Sequence, residues 1–145
     1  MPTTAADLTA VRDLTDRYGA AWNAHDVDAL LSMQSPDMAF HLHVEGFGEV
    51  RGAGALREQF AYFFAVMPDY AAELTRTRVS PELVVLEYVI TATLAGPFPV
   101  GPETGVPTGT PMRFEAVDLL AHGDGVFTRK DTYVDGFAMR RGLGL

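Results

Sequence analysis

Of the five carboxylates within residues 112–135, MRFEAVDLLAHGDGVFTRKDTYVD, three could carry chemistry: Asp118, Asp131 and Asp135. Carboxylates gathered in an apolar setting are common instruments of proton transfer, one giving a proton where another takes one. Asp118 shares a strand face with Phe114, Ala116 and Leu120, an unusual place for a carboxylate, because Asp is rarely buried without a partner. The plainer readings are a surface position for Asp118, an ion pair with Arg129 or a neighbouring arginine for Asp131, and a cap at the strand end for Asp135. Tyr18 lies on the apolar face of a helix, where it is either a core aromatic or a hydroxyl presented to a pocket. His41-x-His43-x-Glu45 puts three potential metal ligands on one strand face. That face can equally be solvent or a dimer contact, and two histidines without a third elsewhere read as no metal site. His25, at a helix junction, and His122, in a turn, read as structural.

The elements that must position these groups emerge from periodicity. Residues 112–135 alternate apolar and polar on either side of His122-Gly123-Asp124-Gly125, a β-hairpin signal because glycine tolerates the positive φ such turns require. Over residues 4–24, Leu8, Val11, Leu14, Tyr18, Ala21 and Trp22 recur at three- and four-residue spacing, which predicts an amphipathic helix. Thr4 and Asp7 resemble a capping box at its start. Asp26 caps a short second helix over residues 27–33, ended by Pro36-Asp37. A strand over residues 38–45 directs Phe40, Leu42 and Val44 to one side. A glycine-rich connection leads to a third helix over residues 55–67, closed by Pro68. Residues 70–79 and 83–95 form a second hairpin, and residues 136–145 a short tail. Residues 96–111, with five of the nine prolines and four of the fourteen glycines, read as a loop. Helices and a strand followed by meandering strands, with no βαβ alternation, predict an α+β domain with an antiparallel sheet, one domain over residues 1–145.

Composition narrows the partners. The 145 residues carry a net charge of −8 and are 48% hydrophobic, enough for a core and poorly suited to binding nucleic acid. The absence of cysteine excludes disulfides and thiolate chemistry. The N-terminal residues lack the basic start and apolar run of a signal peptide, and no stretch is long enough to span a bilayer, so a cytoplasmic protein is expected. Ten arginines to one lysine read as a genome-composition effect.

The runs RYGAAWNAHDVDALL, PTGTPMRFEAVDLL, GDGVFTRKDTYVD and MRRGLGL resemble the nuclear transport factor 2-like superfamily across nearly the whole chain. Pro107-Thr108-Gly109, Tyr133-Val134-Asp135 and Leu143-Gly144 are most similar to its SnoaL-like polyketide cyclase branch. The resemblance implies a cone-shaped, curved, antiparallel sheet with mixed edges, wrapped around three N-terminal helices and leaving an apolar pocket. In the ketosteroid isomerase pattern of that superfamily, Tyr18 matches the oxyanion-hole tyrosine, and Asp118 the neutral aspartic acid that donates beside it. The isomerase base falls on Leu42, or on His43 if an insertion precedes it. The Arg-x-Asp of limonene epoxide hydrolases is absent, and Leu94 stands where many SnoaL-like members carry histidine. The Tyr-x-Asp pattern places the cyclase's acid/base residue at Asp135, with Asp131 the other candidate. The isomerase match turns Lys130, Thr132 and Val134 inward, and a bulge in that strand would reconcile this with an inward aspartate.

These resemblances imply a cofactor-free enzyme acting on an apolar, carbonyl-bearing, polyketide- or terpenoid-like ligand by cyclisation, isomerisation or dehydration. Asp135, Asp131, Asp118, Tyr18 and His43 are the candidate catalytic residues. Trp22, Phe40, Leu42, Phe60, Phe63, Phe98 and Tyr133 are the candidate pocket wall. Neither metal nor membrane partner is expected, and a homodimer is. The alternative is a non-catalytic ligand-binding or dimeric scaffold of the same fold.

Overall fold

In the computed structural model, which describes residues 5–145, four helices and eight strands run in the order α1 (Ala5–Asn23), α2 (Val27–Ser32), β1 (Gln34–His43), β2 (Glu49–Arg51), α3 (Ala53–Val66), β3 (Ala71–Val79), β4 (Leu83–Ala92), β5 (Phe98–Val100), β6 (Glu103–Gly105), β7 (Met112–Gly123), β8 (Val126–Val134) and α4 (Gly136–Gly142). The capping box expected at Thr4 lies outside the described residues. Helix α1 buries Leu14, Tyr18, Ala21 and Trp22, the face its periodicity marked. Asp26 accepts from the Ala29 amide at 3.0 Å and so starts α2.

A curved six-stranded sheet runs β2-β1-β8-β7-β4-β3. All its pairs are antiparallel except β1 with β8. The hairpin of β7 and β8 turns on Asp124 and Gly125 alone, both at positive φ (54° and 81°), the two-residue turn whose twist matches that of the strands. Strand β1 starts four residues earlier than periodicity indicated. Pro36 and Asp37 lie inside it, within a register irregularity between Gln34 and Ala39, where proline's missing N–H costs no ladder bond.

A second irregularity decides the site. His122 pairs with Phe127 but Ala121 pairs with Arg129, so Thr128 is an extra residue, a bulge in β8. Phe127 and Lys130 consequently both point inward, fully buried, and every later residue of β8 faces the side opposite to that implied by unbroken alternation from Phe127. Lys130 and Thr132 look into the molecule, Asp131 and Tyr133 away from it.

Besides the glycine-rich connection, which contains β2 paired with β1, two further segments have more structure than sequence implied. The proline-rich loop contains the β5–β6 hairpin, which buries Phe98 and Val100. The C-terminal tail contains α4, which packs Met139 and Leu143 against the core. Both are too short for a periodic signal. Gly142 makes the α4 contact possible: a Cβ there would stand 2.5 Å from the Met112 Cβ, an atom fixed to the β7 backbone. Gly142→Ala is expected to destabilise the protein by about 1–3 kcal/mol through overpacking. Gly54→Ala, where a Cβ meets nothing within 4 Å, is expected to be neutral or slightly stabilising. Thermal unfolding of the two variants checks the contrast.

Candidate functional site

Between α3, α4 and the concave face of the sheet lies an apolar cavity of about 60 Å³. Its wall includes Trp22 from α1, Phe40 and Leu42 from β1, Phe63 from α3, Phe98 from β5, and Met67, Met112 and Met139. Five of the seven residues expected in such a wall are therefore there. Phe60 is not. It is wholly buried behind the wall, its ring 4.8 Å from Trp22 and 5.6 Å from Phe40. Tyr133 is not either, because the bulge turns it to the outside, where it is 47% exposed.

Lys130 is the one charged side chain in this wall. Its Nζ lies 3.9 Å from the centre of the Trp22 ring and 3.3 Å from Asp118 Oδ2, and both members of the pair are almost completely buried. Burial holds the ammonium below the usual lysine range, against the opposing pull of the carboxylate. Asp118 Oδ1 accepts from the Tyr88 hydroxyl at 2.8 Å and from Thr132 Oγ1 at 2.6 Å. Asp118 thus receives both hydroxyls on one oxygen and presents the other to Lys130, which it anchors. Burial raises the Tyr88 phenol well above its ordinary range, so it remains a donor.

A second cavity, of about 240 Å³, opens between α1 and strands β3 and β4, with Tyr18, Gly19, Asp118 and Leu86 in its wall. Trp22, Tyr70, Tyr88 and Lys130 belong to both cavities and form the partition between them. Tyr18 and Asp118 therefore share a cavity, but Tyr18 does not face a common oxygen with Asp118. Its hydroxyl donates to Gln34 Oε1 at 2.8 Å, its ring lies 4.7 Å from Phe127, and burial drives its phenol upward.

The remaining expected residues lie elsewhere. Asp135 is exposed and its Oδ1 accepts from the Ala138 amide at 3.1 Å, capping α4. Asp131 and His43 meet on the outer face of the sheet, His43 Nε2 standing 2.8 Å from Asp131 Oδ1. The Arg129 guanidinium grips the same carboxylate with two hydrogen bonds and holds it below the usual Asp range. The fold does not bring the hairpin's three candidate carboxylates into one cavity: one is inside, one outside and one at the rim of a helix.

Sequence reasoning underrated Lys130 and passed over Tyr88. A signal for the first was present, since Lys130 is the sole lysine among eleven basic residues, and it occupies the position where arginine would not do. A guanidinium is always charged and needs room for a planar fork, whereas an amine is compact and tunable by burial. The count attributed to genome composition points at the site.

A curved α+β sheet closing over an apolar cavity is the ketosteroid isomerase-like class of fold. Residues 15–136 match the SnoaL-like domain, and the chain belongs to that family. No curated protein matches it. Among solved structures it is similar to a candidate SnoaL-like polyketide cyclase from Jannaschia sp. CCS1, with 18% identity and TM-score 0.83 over 99% of this chain and 97% of that one. It is also similar to IdmH, a candidate polyketide cyclase from Streptomyces antibioticus, with 23% identity and TM-score 0.74 over 92% and 98% of the two chains. A third likeness is a ketosteroid isomerase-like protein from Catenulispora acidiphila DSM 44928 in complex with trimethylamine, with 18% identity and TM-score 0.75 over 92% and 93%. At these identities the likeness establishes the fold. Among the described residues, no helix is long and apolar enough to cross a membrane.

Proposed function

We propose that the protein is an enzyme that binds an apolar, carbonyl-bearing ligand and promotes its enolisation, water taking the α-proton while the cavity holds the enolate oxygen and solvent returning a proton afterwards, the step shared by cyclisation, isomerisation and dehydration. The observation that carries this reading is Lys130: one buried ammonium, anchored by Asp118, in an otherwise apolar wall. Such a charge has no solvent to satisfy it and is worth most where negative charge develops, on the oxygen of an enolate. Thr132 and Tyr88, also in the wall, give their hydroxyl protons to Asp118 and so hold the anchor of the lysine in place. Family membership and the candidate cyclases of similar fold support the same class of chemistry.

A cavity of about 60 Å³ is well below the roughly 300–1,000 Å³ of pockets that enclose a drug-sized ligand. A polyketide-sized ligand therefore requires the wall to give. Met67, Met112 and Met139 are the residues able to do so, since unbranched thioethers change rotamer at small cost. A homodimer covering the exposed Phe137 belongs to the same proposal.

The test uses 2-tetralone, an enolisable bicyclic ketone, and 2-naphthol as an enolate mimic. The protein is expected to accelerate exchange of the ketone's α-protons in D2O, monitored by NMR, and to bind 2-naphthol as its anion, seen in fluorescence. Binding without any exchange above buffer would favour a non-catalytic ligand carrier. Absence of both would remove the reading.

A further inference from the structure

The outer face of β1 and β8 carries a cluster that the proposed chemistry does not use. His41 and His43 are alternate residues of β1, so they project to the same side. The parallel partner of His41 is Asp131 of β8. One nitrogen from each imidazole and one Asp131 oxygen lie within 4.8 Å of one another. All three residues are partly buried.

We propose that His41, His43 and Asp131 form a binding site for a divalent transition ion of the zinc class. Two neutral imidazoles and a carboxylate suit zinc, cobalt or nickel and discriminate against magnesium and calcium, which prefer oxygen. Metal–ligand bonds of about 2.0–2.2 Å set ligand atoms roughly 3.3–3.5 Å apart in a tetrahedron. The His43–Asp131 pair, at 2.8 Å, and the outer limit of 4.8 Å bracket that value, so side-chain rotation suffices.

The surroundings hold the cluster in place. The His43 ring is stacked between His41 at 3.8 Å and Tyr133 at 4.0 Å, the latter within 6° of parallel. Arg129 fixes the Asp131 carboxylate with a bidentate grip, leaving the lone pair on Oδ1 that now accepts from His43 for the metal. Arg129 adds a positive charge close to a cation, and Glu49, bonded to the same guanidinium, offsets it. With Asp131 and Glu49 ionised and Arg129 and Arg51, which also grips Glu49, both charged, a divalent ion leaves the network at a net charge of about +2, spread over a half-exposed surface.

The sequence pointed to His41 and His43 but to Glu45 as their companion. Strand β1 ends at His43 and the Glu45 carboxylate lies against Gly101 instead, while β8 supplies the third ligand. The position matters to the cavity: His41 alternates with Phe40 and Leu42, and Asp131 with Lys130 and Thr132, all four in the cavity wall. An ion here would tie together, from behind, the two strands that form that wall.

The test is calorimetric titration of the untagged protein with zinc chloride near pH 7.5, with cobalt absorption as a second readout. One equivalent is expected to bind, with affinity reduced at least about tenfold in each of His41→Ala, His43→Ala and Asp131→Asn, unchanged in His122→Ala, and indifferent to excess magnesium. Circular dichroism confirms that the variants are folded, and the cobalt spectrum reports the ligand set in any of them. Lack of saturable binding would overturn the site. So would binding undiminished in the two β1 histidine variants, or full retention in Asp131→Asn.

Discussion

Asp118→Ala is expected to cost about 3–5 kcal/mol of stability, the range for removing one partner of a buried ion pair. The side chains of Lys130 and Asp118 are each only 5% exposed, so the variant leaves an ammonium in an aromatic cage with no counter-charge beside it. It also deprives the Tyr88 and Thr132 hydroxyls of their common acceptor. The contact itself is not the source of the effect. Two charges removed from water gain little from each other beyond what desolvation took, so the double variant Asp118→Leu/Lys130→Met is expected to recover most of the loss. Urea unfolding of the wild type, both single variants and the double variant measures the coupling. A cost below about 1 kcal/mol for Asp118→Ala would mean that the pair is solvated and the cavity floor is not what the structure implies.

The second large effect concerns rate. Lys130→Met keeps the length and apolar stem of the side chain and removes its charge. It is expected to slow α-proton exchange of 2-tetralone by about 10²–10³-fold, the usual consequence of losing one preorganised group at a developing oxyanion. Affinity for the neutral ketone should change little, because the apolar wall is intact and the charge interacts with the transition state more than with the carbonyl. Lys130→Arg should not restore the rate, since a guanidinium spreads its charge over a planar fork and does not place the compact point charge that the Asp118 anchor and the Trp22 ring position. Retention of full exchange by Lys130→Met would assign the chemistry to another group.

These two variants also show where sequence reasoning reached and where it stopped. Tyr18 and Trp22 were legible because an amphipathic helix repeats every 3.6 residues over five turns, long enough to mark its buried face. Phe40 and Leu42 were legible because β1 alternates cleanly at that end. Asp118 stood out because it lies on the apolar face of a twelve-residue strand. Asp135 resembled a catalytic residue through a three-residue pattern, yet it stands immediately before the short helix α4, and a carboxylate just ahead of free helix N–H groups is a cap.

The amino-acid sequence by itself determined the longer elements and the inward faces of α1, β1 and β7, since those are local properties carried by period and by turn chemistry, whereas β2, β5, β6 and α4 are too short to carry one. Only the tertiary structure decided which groups meet. One extra residue, Thr128, inverts the rest of β8, and it sends Lys130 to Asp118 inside and Asp131 to His43 outside. Strand alternation has a period of two, so a single bulge reverses every later side chain, and the bulge is chosen by the burial of the whole sheet. The parallel register of β1 with β8 likewise joins residues 88 positions apart, a proximity that no local pattern encodes.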